Sequence, residues 1–272
     1  MNSIDLSISG EYQHFCNVLK TSCHENLVGV LLHGSVIHKI SNPVDHDLVV
    51  ILRNWSREAA VLVTDAAAAC LSRNIILDFQ LAYLDQLFTD GNWFSWNRQG
   101  SYFLWILQRA YVLYGINPFL KIDSPSQEQV HEDILKKMEQ YVHLTRADVI
   151  ECKRSPINQD GFRYVCKKTL RVIRDFCIWH EYGLGSETDT SVNHILDVNK
   201  FSPSLLDMID IDILYRLFLY LKEPKRIEQL GIEERDTLIY YCLTIQEKLY
   251  YAIIEKTKIL YSLQKLSSIN QF

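Results

Sequence analysis

In LLHGSVIHKISNPVDHDLVV, residues 31–50, an apolar run stops at Gly34-Ser35, a loop follows, and Asp45-His46-Asp47 opens a second apolar run. The length of each run and its abrupt end predict two buried strands, one over residues 27–32 and one over residues 47–52. Residues two apart in a strand point to the same face. Asp45 and Asp47 therefore project together, near enough that two ionised carboxylates repel unless a cation lies between them. Magnesium carrying nucleotide phosphates suits such a pair, because Mg²⁺ takes one or two protein carboxylates and completes its shell with water and phosphate oxygens. Glycine ahead of serine at a strand end fits the same chemistry. A residue without a side chain lets backbone N–H groups approach a phosphate, and the hydroxyl adds a donor.

Outward from this segment, residues 8–23 carry Phe15, Val18 and Leu19 at helical spacing. Ser56 is placed to cap a helix running through the alanine-rich stretch to about Ser72. A third strand is expected from near Ile75, where Asp78 alternates with apolar neighbours in IILDFQLAYL. Asp78 supplies a third carboxylate if its strand lies beside the one carrying Asp47. It then either helps to hold a second metal or acts as the base that activates a hydroxyl for in-line displacement at an α-phosphate. Beyond it lies FTDGNWFSWNRQGSYFLW, residues 88–105, with a turn signal at Asp90-Gly91 and a second half that predicts a helix reaching Tyr114 and stopping at Gly115. Trp93, Trp96 and Tyr102 in this stretch read either as core or as a surface on which a ring can stack.

The proline- and turn-rich INPFLKIDSPSQEQ marks a domain boundary near residues 116–126. After it, residues 128–149, 163–180, 203–221 and 233–266 show helical periodicity, interrupted at Pro156, at Gly183 with Gly185, and at Pro224. The order predicts an α+β chain: a first domain over residues 1–122 with a small sheet and flanking helices, then a helical bundle over residues 123–272. In KKTLRVIRDF, Lys168, Arg171 and Arg174 recur every third residue along one helix face. That face is either solvated, with Asp175 nearby, or lines a cleft against phosphates.

The strand, Gly34-Ser35, loop and Asp45-x-Asp47 arrangement resembles the signature of the DNA polymerase β-like nucleotidyltransferase superfamily. In layout, a small catalytic domain followed by helices, the chain looks most like the aminoglycoside nucleotidyltransferase branch. The resemblance implies that Gly34, Ser35 and a nearby cation contact the nucleotide phosphates, that Asp45, Asp47 and Asp78 hold Mg²⁺ and serve catalysis, and that Lys168 and Arg171 add phosphate contacts from the helical domain. It implies an NTP, ATP first, as donor and a hydroxyl-bearing small molecule as acceptor. The chain departs from the pattern in the loop. Members of the branch commonly carry a basic residue and a second glycine after Gly-Ser, and a serine before the first acid, where this chain has Val36-Ile37-His38-Lys39 and Val44. Lys39 or His38 is then the candidate for the phosphate contact. His46, between the acids, should point away from them as a packing or surface residue, and His33 reads as core. The altered loop also motivates a second reading, a nucleotide-binding or regulatory protein without turnover.

Composition narrows the alternatives. With 48% hydrophobic and 22% charged residues over 272 positions, the chain is expected to fold throughout. No apolar run approaches the roughly 20 residues that span a bilayer, and the first residues, MNSIDLSISG, do not read as a signal peptide, so the cytoplasm is the expected location. The formal charge of −5, without a basic run, disfavours a nucleic-acid partner and suits a cationic acceptor. The seven cysteines are never spaced C-x-x-C and read as reduced, mostly buried thiols.

Overall fold

A computed structural model describes residues 9–34, 46–71, 77–84, 100–181, 192–223 and 225–269. The chain is α+β: a small mixed sheet with helices in the N-terminal part, then helices alone. It forms two compact units, residues 1–133 with 186–189, and residues 134–185 with 190–272.

In the first unit, α1 (Ser9–Cys23) leads to β1 (Leu27–His33), followed by β2 (His46–Leu52), α2 (Arg57–Leu71), β3 (Leu77–Tyr83), α3 (Gly100–Leu107) and β4 (Tyr111–Gly115). The strand order is β3-β2-β1-β4. β1 runs antiparallel to β2 and β4, and β2 parallel to β3. A parallel neighbour requires a crossover rather than a hairpin, and α2 fills that role. Its start is capped as expected, the Ala59 N–H donating to Ser56 Oγ at 3.3 Å.

β1 and β2 are near-continuous apolar runs because both faces of the sheet are covered. On one face Val30, Leu32, Leu48, Val50 and Leu52 pack with Phe15 and Leu19 of α1 and with Ala59 and Val63 of α2. On the other, Leu31, Val49, Ile51 and Ala82 pack with Phe103, Leu104 and Leu107 of α3 and with Phe119. Strand alternation thus sorts odd and even residues into two separate cores.

The helix expected to reach Tyr114 ends at Leu107, and residues 111–115 are a strand instead. Tyr-Val-Leu-Tyr is a short run of strand-favouring residues, and β1 has an open edge whose backbone groups need partners. Pairing of Val30 with Tyr114 and Gly29 with Gly115 fills that edge. Gly115 adopts φ 69°, and a Cβ there would overlap the Val28 carbonyl oxygen, so only glycine brings the backbones this close. Past the strand, the buried Asn117 donates to the Leu107 carbonyl at 2.8 Å and accepts from the Phe119 N–H at 3.1 Å. Gln108 donates to the carbonyls of Phe119 and Ile122.

The second unit is built from α4 (Gln127–Cys152, which begins in the first unit), α5 (Gln159–His180), α6 (Val192–Phe201), α7 (Met208–Lys222), the single turn α8 (Lys225–Glu228) and α9 (Ile232–Ile269). α5 is the hub, contacting α6, α7, α8 and α9 and burying Phe162, Val165, Leu170, Ile173 and Phe176. α6 has no counterpart among the expected helices. The helix expected from residue 203 starts at Met208, because Asp207 accepts from the Ile209 and Asp210 N–H groups while Asp210 accepts in return from the Asp207 N–H. The break at Pro156 is present, as a turn and loop between α4 and α5. Gly183, Gly185 and Pro224 lie outside the described residues.

Cys16, Cys23, Cys152, Cys166, Cys177 and Cys242 are free thiols, all but Cys152 buried. Burial pushes the Cys16 thiol up to about 11 and that of Cys242 up to about 12, which leaves both in the unreactive thiol form. Among the described residues no helix is long and apolar enough to cross a membrane.

Replacing Asn117 by alanine leaves a carbonyl and an amide unpaired in the interior. An Asn117→Ala variant should lose about 1–3 kcal/mol of stability, read as a lower urea midpoint at unchanged slope.

Candidate functional site

Strand register assembles the site. β1 pairs His33 with Asp47, and β3 pairs Asp78 with the same Asp47. Residues opposite one another on neighbouring strands share a face. His33, Asp47 and Asp78 therefore form one row across three strands, at the end of the sheet where β1 leaves and β2 enters. The row lies on the face of Leu31, Val49, Ile51 and Ala82, beyond the limit of that apolar core. Asp47 is half-buried and Asp78 exposed, so the row grades from protein interior to water.

Gly34 stands immediately after the row and adopts φ 81°, in the left-handed region. A Cβ built on it would overlap Oδ2 of Asp47. The carboxylate of Asp47 thus rests against the backbone of residue 34, in space that any other side chain would claim. Glycine is required here twice, once for its torsion angle and once for its lack of volume.

His33 is buried and meets the ring of Phe103 edge-on, at 5.5 Å between centroids and 80° between planes. Burial lowers its imidazole to about 4, so at neutral pH it stands beside Asp47 without charge. His46 points to the opposite face, as strand alternation requires, and its Nδ1 is hydrogen-bonded to the hydroxyl of Tyr12. It is a packing residue, separated by the sheet from the acidic row.

Ser35, His38, Lys39 and Asp45 lie outside the described residues, as do Trp93 and Trp96. Of the expected site, the structure brings Gly34, Asp47 and Asp78 together. Two carboxylates on adjacent strands, about 4.8 Å apart in backbone spacing, supply hard oxygen donors of the kind Mg²⁺ takes. Among the described residues, no group of three or more His, Cys, Asp or Glu forms a metal cluster.

Lys168, Arg171 and Arg174 belong to the second unit. Lys168 is 1% exposed, its Nζ 2.5 Å from Asp148 Oδ2 and its charge 4.9 Å from the Tyr164 ring centroid. Arg174 is buried and donates from Nε and Nη2 to Asp175 Oδ1 at 2.9 and 2.7 Å. Arg171 is half-buried beside Tyr141. Burial first, and the Asp175 charge second, push the Tyr141 hydroxyl's pKa up, while the two arginines oppose them. Lys168 and Arg174 are thus buried with carboxylate partners inside the unit, while Arg171 is partly exposed. Tyr102, the described member of the aromatic stretch, is core. It stacks on Trp105 at 6.1 Å, and its N–H donates to Asp133 Oδ2 at 3.2 Å.

Two features of the row escape sequence reading. That His33 joins it depends on register between strands separated by a loop, and the approach of Asp47 to Gly34 depends on three-dimensional packing. The one sequence signal was the glycine itself at a strand end.

No protein-family model matches the chain, and no curated protein matches its sequence. Among solved structures, the chain is similar to the spectinomycin adenyltransferase AAD(9) from Enterococcus faecialis, solved with ATP and spectinomycin. The TM-score is 0.54 at 12% identity, and the match covers 89% of this chain and 98% of that one. At this identity the likeness is one of fold, and it extends over both units.

A Gly34→Ala variant must leave the left-handed region or displace Asp47. It should be destabilised by about 1–3 kcal/mol, and Asp47→Ala in the same background should recover part of that loss by making room. Chemical unfolding of the single and double variants measures both effects.

Proposed function

We propose that the chain is a metal-dependent nucleotidyltransferase that moves a nucleoside monophosphate from an NTP, ATP first, to a hydroxyl of a small-molecule acceptor and releases pyrophosphate. The observation that carries this reading is the Asp47–Asp78 pair, in register on adjacent strands, with Asp47 resting on a glycine that opens the strand-end turn. The fold neighbour, an adenyltransferase solved with ATP and spectinomycin, supports a nucleotide donor and a small-molecule acceptor. The charge of −5 suits a cationic acceptor such as an aminoglycoside.

In this reading Asp45, Asp47 and Asp78 would hold Mg²⁺, which when bound neutralises phosphate charge and stabilises the departing pyrophosphate. The turn at Gly34-Ser35 offers backbone N–H groups and a hydroxyl to the phosphates, with Lys39 as the neighbouring cation. Arg171, half-buried, is assigned a phosphate contact ahead of Lys168, whose charge Asp148 already meets. Asp78, the exposed member of the row, accepts the proton of the acceptor hydroxyl as its oxygen bonds to the α-phosphorus. The bond from that phosphorus to the bridging oxygen breaks, and pyrophosphate leaves with the electron pair. The neutral His33 adds no charge to repel a cation beside Asp47. Residues 1–122 would carry the nucleotide chemistry and residues 123–272 the acceptor contacts, in a cytoplasmic enzyme.

Pyrophosphate release from Mg-ATP, measured across a panel of hydroxyl-bearing amines, tests the reading. Asp47→Asn should abolish release, and Asp78→Asn should lower kcat by about 10²- to 10⁴-fold, the range for loss of a general base. ATP binding without release for any acceptor would favour a regulatory nucleotide-binding protein instead.

A further inference from the structure

The apolar layer between the sheet and α1 contains a directional polar contact that packing alone does not require. Tyr12 of α1 and His46 of β2 are 6% and 7% exposed, joined from hydroxyl to Nδ1, with ring centroids 5.5 Å apart and planes tilted by 57°. Around them stand Phe15, Leu19, Leu48 and Val50. A buried polar pair costs desolvation that an apolar pair would avoid, and in return it specifies one geometry.

Its place in the sheet gives that geometry a consequence. His46 is the first residue of β2, and the ladder with β1 ends one residue later, at His33 and Asp47. On its other side His46 pairs with Leu77 of β3. Asp47 thus stands at the last rung of the β1–β2 ladder. Because successive side chains alternate, a rotation of residue 46 about the strand axis swings both flanking residues with it. A bond that anchors the His46 ring from below holds Asp47 above, against Gly34 and in line with Asp78.

We infer that Tyr12 and His46 are positioning residues for the acidic row, a buried clamp that fixes the direction in which β2 presents its carboxylate to the cation. The inference rests on the nucleotidyltransferase reading, in which Asp47 is a metal ligand. The clamp touches neither nucleotide nor acceptor and acts through Asp47.

The test uses the full chain and Mn²⁺ alone as the metal probe, followed by electron spin resonance, together with amide hydrogen exchange at residues 46–48. Tyr12→Phe keeps the ring and removes the hydroxyl, His46→Leu keeps an apolar side chain, and His46→Asn keeps a polar atom near the Nδ1 position. Tyr12→Phe and His46→Leu should weaken Mn²⁺ binding by about three- to tenfold and speed exchange at residues 46–48 by about fivefold, as expected for one lost hydrogen bond. His46→Asn should restore part of both, and kcat should fall more than the KM for ATP rises. Mn²⁺ binding in wild type that persists unchanged in Tyr12→Phe and His46→Leu overturns the inference and leaves the functional reading standing. Faster exchange without a change in Mn²⁺ affinity also overturns it, since the pair is then merely structural. Absence of Mn²⁺ binding in wild type, matched by Asp47→Asn, removes the functional reading and the inference together.

Discussion

The carboxylate of Asp47 occupies space that a side chain on residue 34 would otherwise fill. This approach brings the exit of β1 against the entry of β2 and explains why residue 34, in the left-handed region, must be glycine. It also gives Asp47 one direction. Under the proposed reading this matters, because a carboxylate free to choose among rotamers would have to be ordered, at a cost in entropy, when a cation binds. The antiparallel pairing of β1 with β2 sets His33 opposite Asp47, and His33 in turn packs edge-on against Phe103.

The sheet separates two sets of polar side chains. One face ends in the row of His33, Asp47 and Asp78, while the other carries the Tyr12–His46 pair and the α1–α2 core. Alternation lets neighbouring residues take opposite duties. His46 packs downward while Asp47 points upward, so substitutions one residue apart should act by different means. Exposure is graded along the row, from the buried His33 beside the core through the half-buried Asp47 to the exposed Asp78.

The second unit handles charge differently. Lys168 and Arg174 are buried, and each has a carboxylate partner at hydrogen-bonding distance. Such pairs seldom add much net stability, because desolvation offsets attraction, but removal of one partner is costly. Their arrangement on α5, the helix contacted by α6, α7, α8 and α9, makes them part of the internal framework of that unit.

Much of this was legible in the amino-acid order alone. Short apolar runs bounded by glycine or polar residues read as strands, a serine ahead of an alanine-rich stretch reads as a capped helix, and β1, β2, β3 and α2 lie within a few residues of where those arguments put them. The same reasoning singled out Gly34, Asp47 and Asp78 as candidates, which the strands bring together, and sent His46 to the opposite face, because strand alternation is a local property. Local pattern misjudged residues 111–115, whose state was settled by an open strand edge far away in sequence, and it missed α6 altogether. It also left the basic face of α5 open between a solvated face and one lining a phosphate cleft, since periodicity shows that residues share a side but not what that side meets. Register, burial and the contact of Asp47 with Gly34 were decided by tertiary structure, because each depends on how separate segments pack, and no single segment contains that information.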